Sequence, residues 1–161
     1  TGALTPFWDH HARGAFIGFT GRHGKSHVYR SILEGIAFEQ RFLTEGAEKA
    51  TNIKSSEIIA LGGGSRSKVW CQIIADVMNR PVKVVRESES TCLGTGMLAA
   101  AAVGIHSSIE NAARSMSGTS ALFEPDSKRS AVYENLYHAY RKIYPALRDV
   151  FPAISQANPQ L

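Results

Sequence analysis

Leu61-Gly62-Gly63-Gly64-Ser65-Arg66-Ser67 places three glycines between an apolar strand pattern and an amphipathic helix pattern. Before it, Ser56-Glu57-Ile58-Ile59-Ala60-Leu61 is short, apolar and β-branched, which predicts a strand. After it, the stretch from Ser67 to Met78 carries Trp70, Ile73, Ile74 and Val77 on one face of a helix. Glycines at such a junction let the backbone turn sharply and let a planar or anionic group approach with no Cβ in the way. The helix N-terminus then presents N–H groups and a partial positive charge at the same point. A nucleotide suits that chemistry. The competing reading is a strand-to-helix turn that binds nothing, and the glycine triplet alone leaves both open.

Working outward, Arg80-Pro81 breaks the helix and Pro81-Val82-Lys83-Val84-Val85 predicts a second strand. A small-residue helix from Leu93 to Val103, ended by Gly104, is expected to lie close against a sheet. Ser108 reads as the N-cap of a short helix from Ile109 to Met116. The turn Glu124-Pro125-Asp126 precedes a last helix over 130–150, striped by Tyr133, Leu136, Tyr137, Tyr140, Ile143 and Tyr144. Pro145 is expected to kink or shorten that helix, and the tail after Phe151 to fray. Upstream, Gly14-Ala15-Phe16-Ile17-Gly18-Phe19 reads as a short buried strand. Val28, Ile32, Leu33, Ile36, Phe38 and Phe42 predict a long helix over 26–50. The pattern is α/β with few strands for its helices. Part of the sheet is therefore expected to lie outside this chain.

At 161 residues the chain fits a single domain with a proper core. Hydrophobic residues at 43% and charged residues at 20% exclude the disordered and membrane classes. The run from Met97 to Val103 is too short to cross a bilayer. Thr1 opens the chain without an initiator Met, so the chain reads as a fragment or a processed piece. Cys71 and Cys92 have no metal or redox spacing and read as reduced, buried thiols of a cytoplasmic protein. The net charge of +4 is spread along the chain, with no aromatics interleaved for base stacking, so nucleic acid is not an expected partner.

Other constellations compete for the site. Gly24-Lys25-Ser26 ends a segment placed as a P-loop would be, but Phe19 stands where the first glycine is required, which favours a turn and helix N-cap. His10, His11, His23 and His27 lack a Glu or Cys to complete a ligand set and read as surface or capping residues. Residues 62–66 lack the last glycine of a nucleophile elbow. Asp76 reads as a cap or salt-bridge partner and not a catalytic base.

Three segments in order resemble the C-terminal, nucleotide-binding domain of the FGGY carbohydrate kinases. They are Pro6-Phe7-Trp8-Asp9 with Ala12-Arg13-Gly14; the 14–19 run followed by His27-Val28-Tyr29-Arg30-Ser31-Ile32-Leu33-Glu34-Gly35; and Gly62-Gly63-Gly64-Ser65-Arg66-Ser67 with Trp70, Gln72, Ala75-Asp76, Pro81-Val82 and Leu93-Gly94. The resemblance covers roughly Pro6 to Tyr144 and departs at Leu93-Gly94-Thr95-Gly96, where Leu-Gly-Ala-Ala is more usual. It implies an actin-like (RNase H-like) ATPase domain, the C-terminal part of a two-domain sugar kinase whose N-terminal sugar-binding domain is absent. By resemblance, Gly62, Gly63, Gly64, Ser65 and Ser67 would sit against adenine and the α-phosphate of ATP, with Gly63 and Ser67 in direct contact.

The same resemblance implies Mg²⁺, a small sugar acceptor and a catalytic aspartate from the preceding domain, leaving no catalytic or metal-binding residue here. A homodimer is an allowed assembly. The motif from Gly18 to Lys25 and the glycine loop look closer to the xylulose kinase branch than to glycerol kinase. The alternatives are a non-catalytic interaction fragment and a P-loop phosphotransferase using Lys25.

Overall fold

A computed structural model describes residues 2–3, 6–87 and 89–157. In chain order the elements are α1 (Lys25–Thr51), β1 (Ile58–Ala60), a 3-10 turn (Gly63–Arg66), α2 (Lys68–Met78), β2 (Val82–Val85), α3 (Ser90–Ala102), α4 (Ile109–Met116), β3 (Thr119–Phe123), α5 (Ser127–Leu147) and α6 (Phe151–Ala157). The chain divides into two compact units, Lys54–Ser130 and Thr1–Ile53 with Ala131–Leu161.

In the Lys54–Ser130 unit, β2 lies between β1 and β3, parallel to the first and antiparallel to the second. Ile58 pairs with Val82 and Ala60 with Val84, while Val82 faces Phe123 and Val84 faces Ala121. Strand residues two apart share a face. That face meets α2, where Cys71, Ala75, Val82 and Val84 are buried and Ile58, Ala60, Ile74, Ala121 and Phe123 pack around them. Val82 has no exposed surface, and full burial of a valine contributes ~1.5–3 kcal/mol. The opposite face carries Ile59, Lys83 and Leu122, with Lys83 paired to Glu57 at 2.6 Å.

Sequence reading passed over β3 and misplaced α3. α3 packs against α4, with Gly96 facing the Met116 methyl group, and it has no buried residue. Small side chains permit close approach to a sheet but do not choose the neighbour. Cys71 is buried as expected, whereas Cys92 is exposed.

Asp76 behaves as a salt-bridge residue. It is 2% exposed, pairs with Arg129 at 2.5 Å, and accepts hydrogen bonds from the Asp126 backbone N–H at 2.8 Å and from Gln72 Nε2 at 2.9 Å. These bonds tie the connection between β3 and α5 to the last turn of α2.

In the other unit, α1 buries Ala37 and Phe38, and Phe38 meets the rings of Tyr133, Tyr137 and Tyr140 from α5. Their hydroxyls donate to Glu34, Glu45 and Glu39, and that of Tyr144 donates to Asp9. Aromatic bodies thus fill the core while each polar tip keeps a partner. Residues 14–19 form no strand: Phe16, Ile17 and Phe19 are more than two-fifths exposed, and no described strand pairs with them. α5 begins at Ser127, continues through Pro145 and stops at Leu147, short of the expected Val150. The tail after Phe151, expected to fray, continues as helix α6 to Ala157, and Phe151 at its start is buried.

Candidate nucleotide site

The loop between β1 and α2 is a pinned turn in which each glycine answers a different constraint. Gly62 has φ +79° and ψ −171°, an extended positive-φ region essentially reserved for glycine, where a residue with a Cβ is strained by ~1–3 kcal/mol. Gly64 has ordinary dihedral freedom, but a Cβ there would collide with the Trp70 ring. Gly63 has open space where a Cβ would stand. It is the one position of the triplet where neither backbone conformation nor a neighbour demands glycine.

The turn closes on itself. Ser65 N–H donates to the Gly62 carbonyl at 3.2 Å, and the Ser65 hydroxyl donates to the same oxygen at 2.7 Å. Ser67 N–H donates to the Gly64 carbonyl at 3.1 Å. The Ser67 hydroxyl then caps α2, accepting from the Trp70 backbone N–H at 3.3 Å. From below, the Cys71 thiol donates to the Ser65 carbonyl at 3.4 Å. Burial pushes that thiol up from its ordinary pKa, so it stays a neutral donor at physiological pH. Trp70, which sequence reading left to the hydrophobic face of α2, and Cys71, read there only as a buried thiol, are supports of the turn.

Gly62, Gly63, Gly64, Ser65 and Ser67 thus stand together in one turn. Gly63 and Ser67 are exposed, while the Ser65 hydroxyl is already spent inside the loop. The arrangement offers a flat, Cβ-free edge at Gly63 beside the amino end of a helix, chemistry that accommodates a planar base or a phosphate.

The rival constellations resolve into local structure. Gly24 is the N-cap of α1 and Lys25 its first residue, with no described strand ahead of them. His27 Nδ1 accepts from the Gly24 N–H at 3.2 Å, and His23 Nδ1 accepts from the Thr20 N–H at 2.8 Å, so both work as caps of local turns. Asp9 also serves a loop: its carboxylate accepts from the His11 N–H at 2.8 Å, the main cause holding it below the usual aspartate range. Among the described residues no group of three or more His, Cys, Asp or Glu side chains is placed to hold a metal ion, and no helix is long and apolar enough to cross a membrane.

Comparison with known proteins gives a consistent family. The profile of the FGGY family of carbohydrate kinases, C-terminal domain, matches residues 1–103. The xylulose kinase of Staphylococcus epidermidis is 32% identical over 139 residues, which is 86% of this chain and 28% of that protein. The glycerol kinase of Aquifex aeolicus is 35% identical over 129 residues, 80% of this chain and 26% of that protein. Among solved structures, the ligand-bound xylulose kinase of Lactobacillus acidophilus superposes with a TM-score of 0.80 at 30% identity, covering 94% of this chain and 30% of that one. Plasmodium falciparum glycerol kinase with ADP gives 0.75 at 26% identity, covering 88% and 28%. The chain therefore spans less than a third of the length of these relatives. Its sequence, its mixed helix-and-sheet architecture and these superpositions agree: the chain belongs to the C-terminal domain of the FGGY carbohydrate kinases, with the actin-like ATPase fold of that family and a xylulose-kinase-like sequence.

Proposed function

We propose that residues 62–67 are the adenine-nucleotide shelf of an ATP-dependent sugar kinase, with Gly62, Gly63, Gly64, Ser65 and Ser67 forming it and Gly63 and Ser67 touching the nucleotide. One observation carries the reading. Gly63 has open space where its side chain would be, although nothing in its conformation or its neighbourhood requires glycine. A ligand lying against the exposed edge at Gly63 would use that space, and the glycerol kinase relative solved with ADP names a ligand of the right class.

In the whole enzyme the γ-phosphoryl group of ATP would pass in line to a sugar hydroxyl, with Mg²⁺ neutralising phosphate charge. The chain is assigned the nucleotide alone; the aspartate that deprotonates the sugar and the sugar-binding domain belong to the remainder of a longer, cytoplasmic protein. On this reading, the whole chain is part of a single domain of that enzyme and is inactive alone. A pentulose such as xylulose is the favoured acceptor, supported by the 18–25 motif and the xylulose kinase relatives.

The test is calorimetric titration with ADP of the wild-type chain and of Gly63→Trp, both checked for folding by circular dichroism. Saturable binding that weakens at least tenfold in Gly63→Trp is expected. Equal binding by both proteins, or none by folded wild type, would overturn the shelf as a self-contained site.

A further inference from the structure

We propose that Trp70 is the positioning residue of this loop, its indole ring filling the space that Gly64 leaves and fixing the height of the Gly63–Arg66 turn above α2. The inference rests on the nucleotide reading only for its consequence on binding; the mechanical role stands on geometry alone.

Three observations converge on the ring. A Cβ on residue 64 would overlap Cζ3 of Trp70, with Cε3 2.9 Å and Cη2 3.3 Å away. Glycine and indole are therefore a matched pair, six positions apart, which interlock as close-packed interiors require. Next, Trp70 is absent from the cluster that α2 buries against the sheet, where Cys71 and Ala75 sit.

Last, Nε1 of Trp70 is enclosed and has no hydrogen-bond partner. No hydrogen bond holds the ring, so its position rests on packing, the contact with Gly64 included. A tryptophan whose indole N–H was tied elsewhere would keep its position if the loop moved; this one has no such tether.

The main chain of the same residue strengthens the link. Trp70 N–H donates to the Ser67 hydroxyl, while Cys71 next to it supports the Ser65 carbonyl. The first turn of α2 thus braces the loop at Gly64, Ser65 and Ser67, and leaves Gly63 open.

Trp70→Leu, Gly64→Ala, their double variant and Trp70→Phe test this with two readouts. The first is amide hydrogen exchange, without ligand, at Ser65 and Ser67, whose N–H groups close the turn. Each single variant should speed exchange there at least tenfold while the β2 amides keep their protection, and the double variant should be no faster than the faster single. Trp70→Phe, with a shorter ring, should fall between wild type and Trp70→Leu, which keeps the test available if the larger truncations fold poorly.

Unchanged exchange at Ser65 and Ser67, an equal rise at β2, or effects that multiply in the double variant would overturn the positioning role. The second readout is the ADP dissociation constant, expected to rise at least tenfold in Trp70→Leu and to recover partly in Trp70→Phe. Altered exchange in a wild-type background that never binds ADP would uphold the bracing and remove the nucleotide reading. ADP binding that Trp70→Leu leaves intact would uphold the nucleotide reading and overturn Trp70.

Discussion

Replacing Asp76 tests whether the polar cluster, and not only the sheet core, holds the connection into α5. The carboxylate is 2% exposed and accepts from the Asp126 N–H, from Gln72 Nε2 and from the Arg129 guanidinium. Gln72 Nε2 also donates to the Glu124 carbonyl, so one side chain and its partner fix two backbone groups of the connection. Removing one partner of a buried ion pair costs ~3–5 kcal/mol. Arg129 is 48% exposed, and water will receive its charge when Asp76 is gone, which lowers the figure. The Asp126 N–H and the Gln72 amide still lose a charged acceptor, at ~1.5–3 kcal/mol for each such bond before relaxation. Asp76→Ala should therefore destabilise by about 2–3 kcal/mol. Asp76→Asn keeps the shape but turns an amide toward a guanidinium, and should lose more than half as much. For a chain of this size each kcal/mol moves the thermal midpoint ~2–4 °C. Urea unfolding followed by circular dichroism should show a lowered midpoint at constant slope. Either variant lying within ~0.5 kcal/mol of wild type, the range of ordinary surface changes, would refute the reasoning.

The tyrosines of α5 predict an alkaline limit. Burial, then the hydrogen bond to Glu34, pushes the Tyr133 phenol up to about 12, and burial with Glu45 and Glu39 raises Tyr137 and Tyr140 in the same direction. Because the folded state holds these protons more tightly, their contribution is intact below the ordinary tyrosine pKa of ~10 and is lost as pH rises toward 12. Phenolate absorbance should appear together with loss of helical circular dichroism; ordinary titration near pH ~10 with the helices intact would contradict this. Gly96→Ala should raise the unfolding free energy by up to ~1 kcal/mol, the helix-interior difference between the two residues, and the urea midpoint with it. The new Cβ would meet only the Met116 methyl group, at an ordinary 3.7 Å, and a lowered midpoint would mean that α3 and α4 tolerate no added atom.

Where side-chain period and caps coincide, the sequence was readable. α2 was legible from its apolar stripe and from Pro81, and it ends at Asn79 in the left-handed conformation; its Ser67 cap came only with the structure. α4 was legible from Ser108, whose hydroxyl accepts from the Asn111 N–H. β3 escaped because only Ala121 and Phe123 point inward while Thr119, Ser120 and Leu122 are exposed, leaving a weak alternation of short length. The error at 14–19 is the reverse. A short apolar run with Phe16, Ile17 and Phe19 suggests an extended backbone, but a strand also needs a partner, and nothing within the run supplies one. The histidine caps were legible because a lone imidazole four residues from another lacks a ligand set.

The glycine loop shows where a linear reading of residues stops. Three identical letters in a row carry three unequal constraints: Gly62 its positive φ, Gly64 the ring of Trp70, and Gly63 nothing inside the chain. Residue type alone weighs them equally, and only the family resemblance singles out Gly63, since the dihedral angle and the six-residue contact exist only once β1, the turn and α2 are assembled. The distinction has a practical consequence. Substitution at Gly62 or Gly64 perturbs the turn itself, so loss of binding there is no proof of contact. A bulky side chain at Gly63 enters open space, leaves the turn's own hydrogen bonds in place, and obstructs only what comes from outside. Gly63 is therefore the position at which loss of ADP binding by a folded protein reports on contact with the ligand.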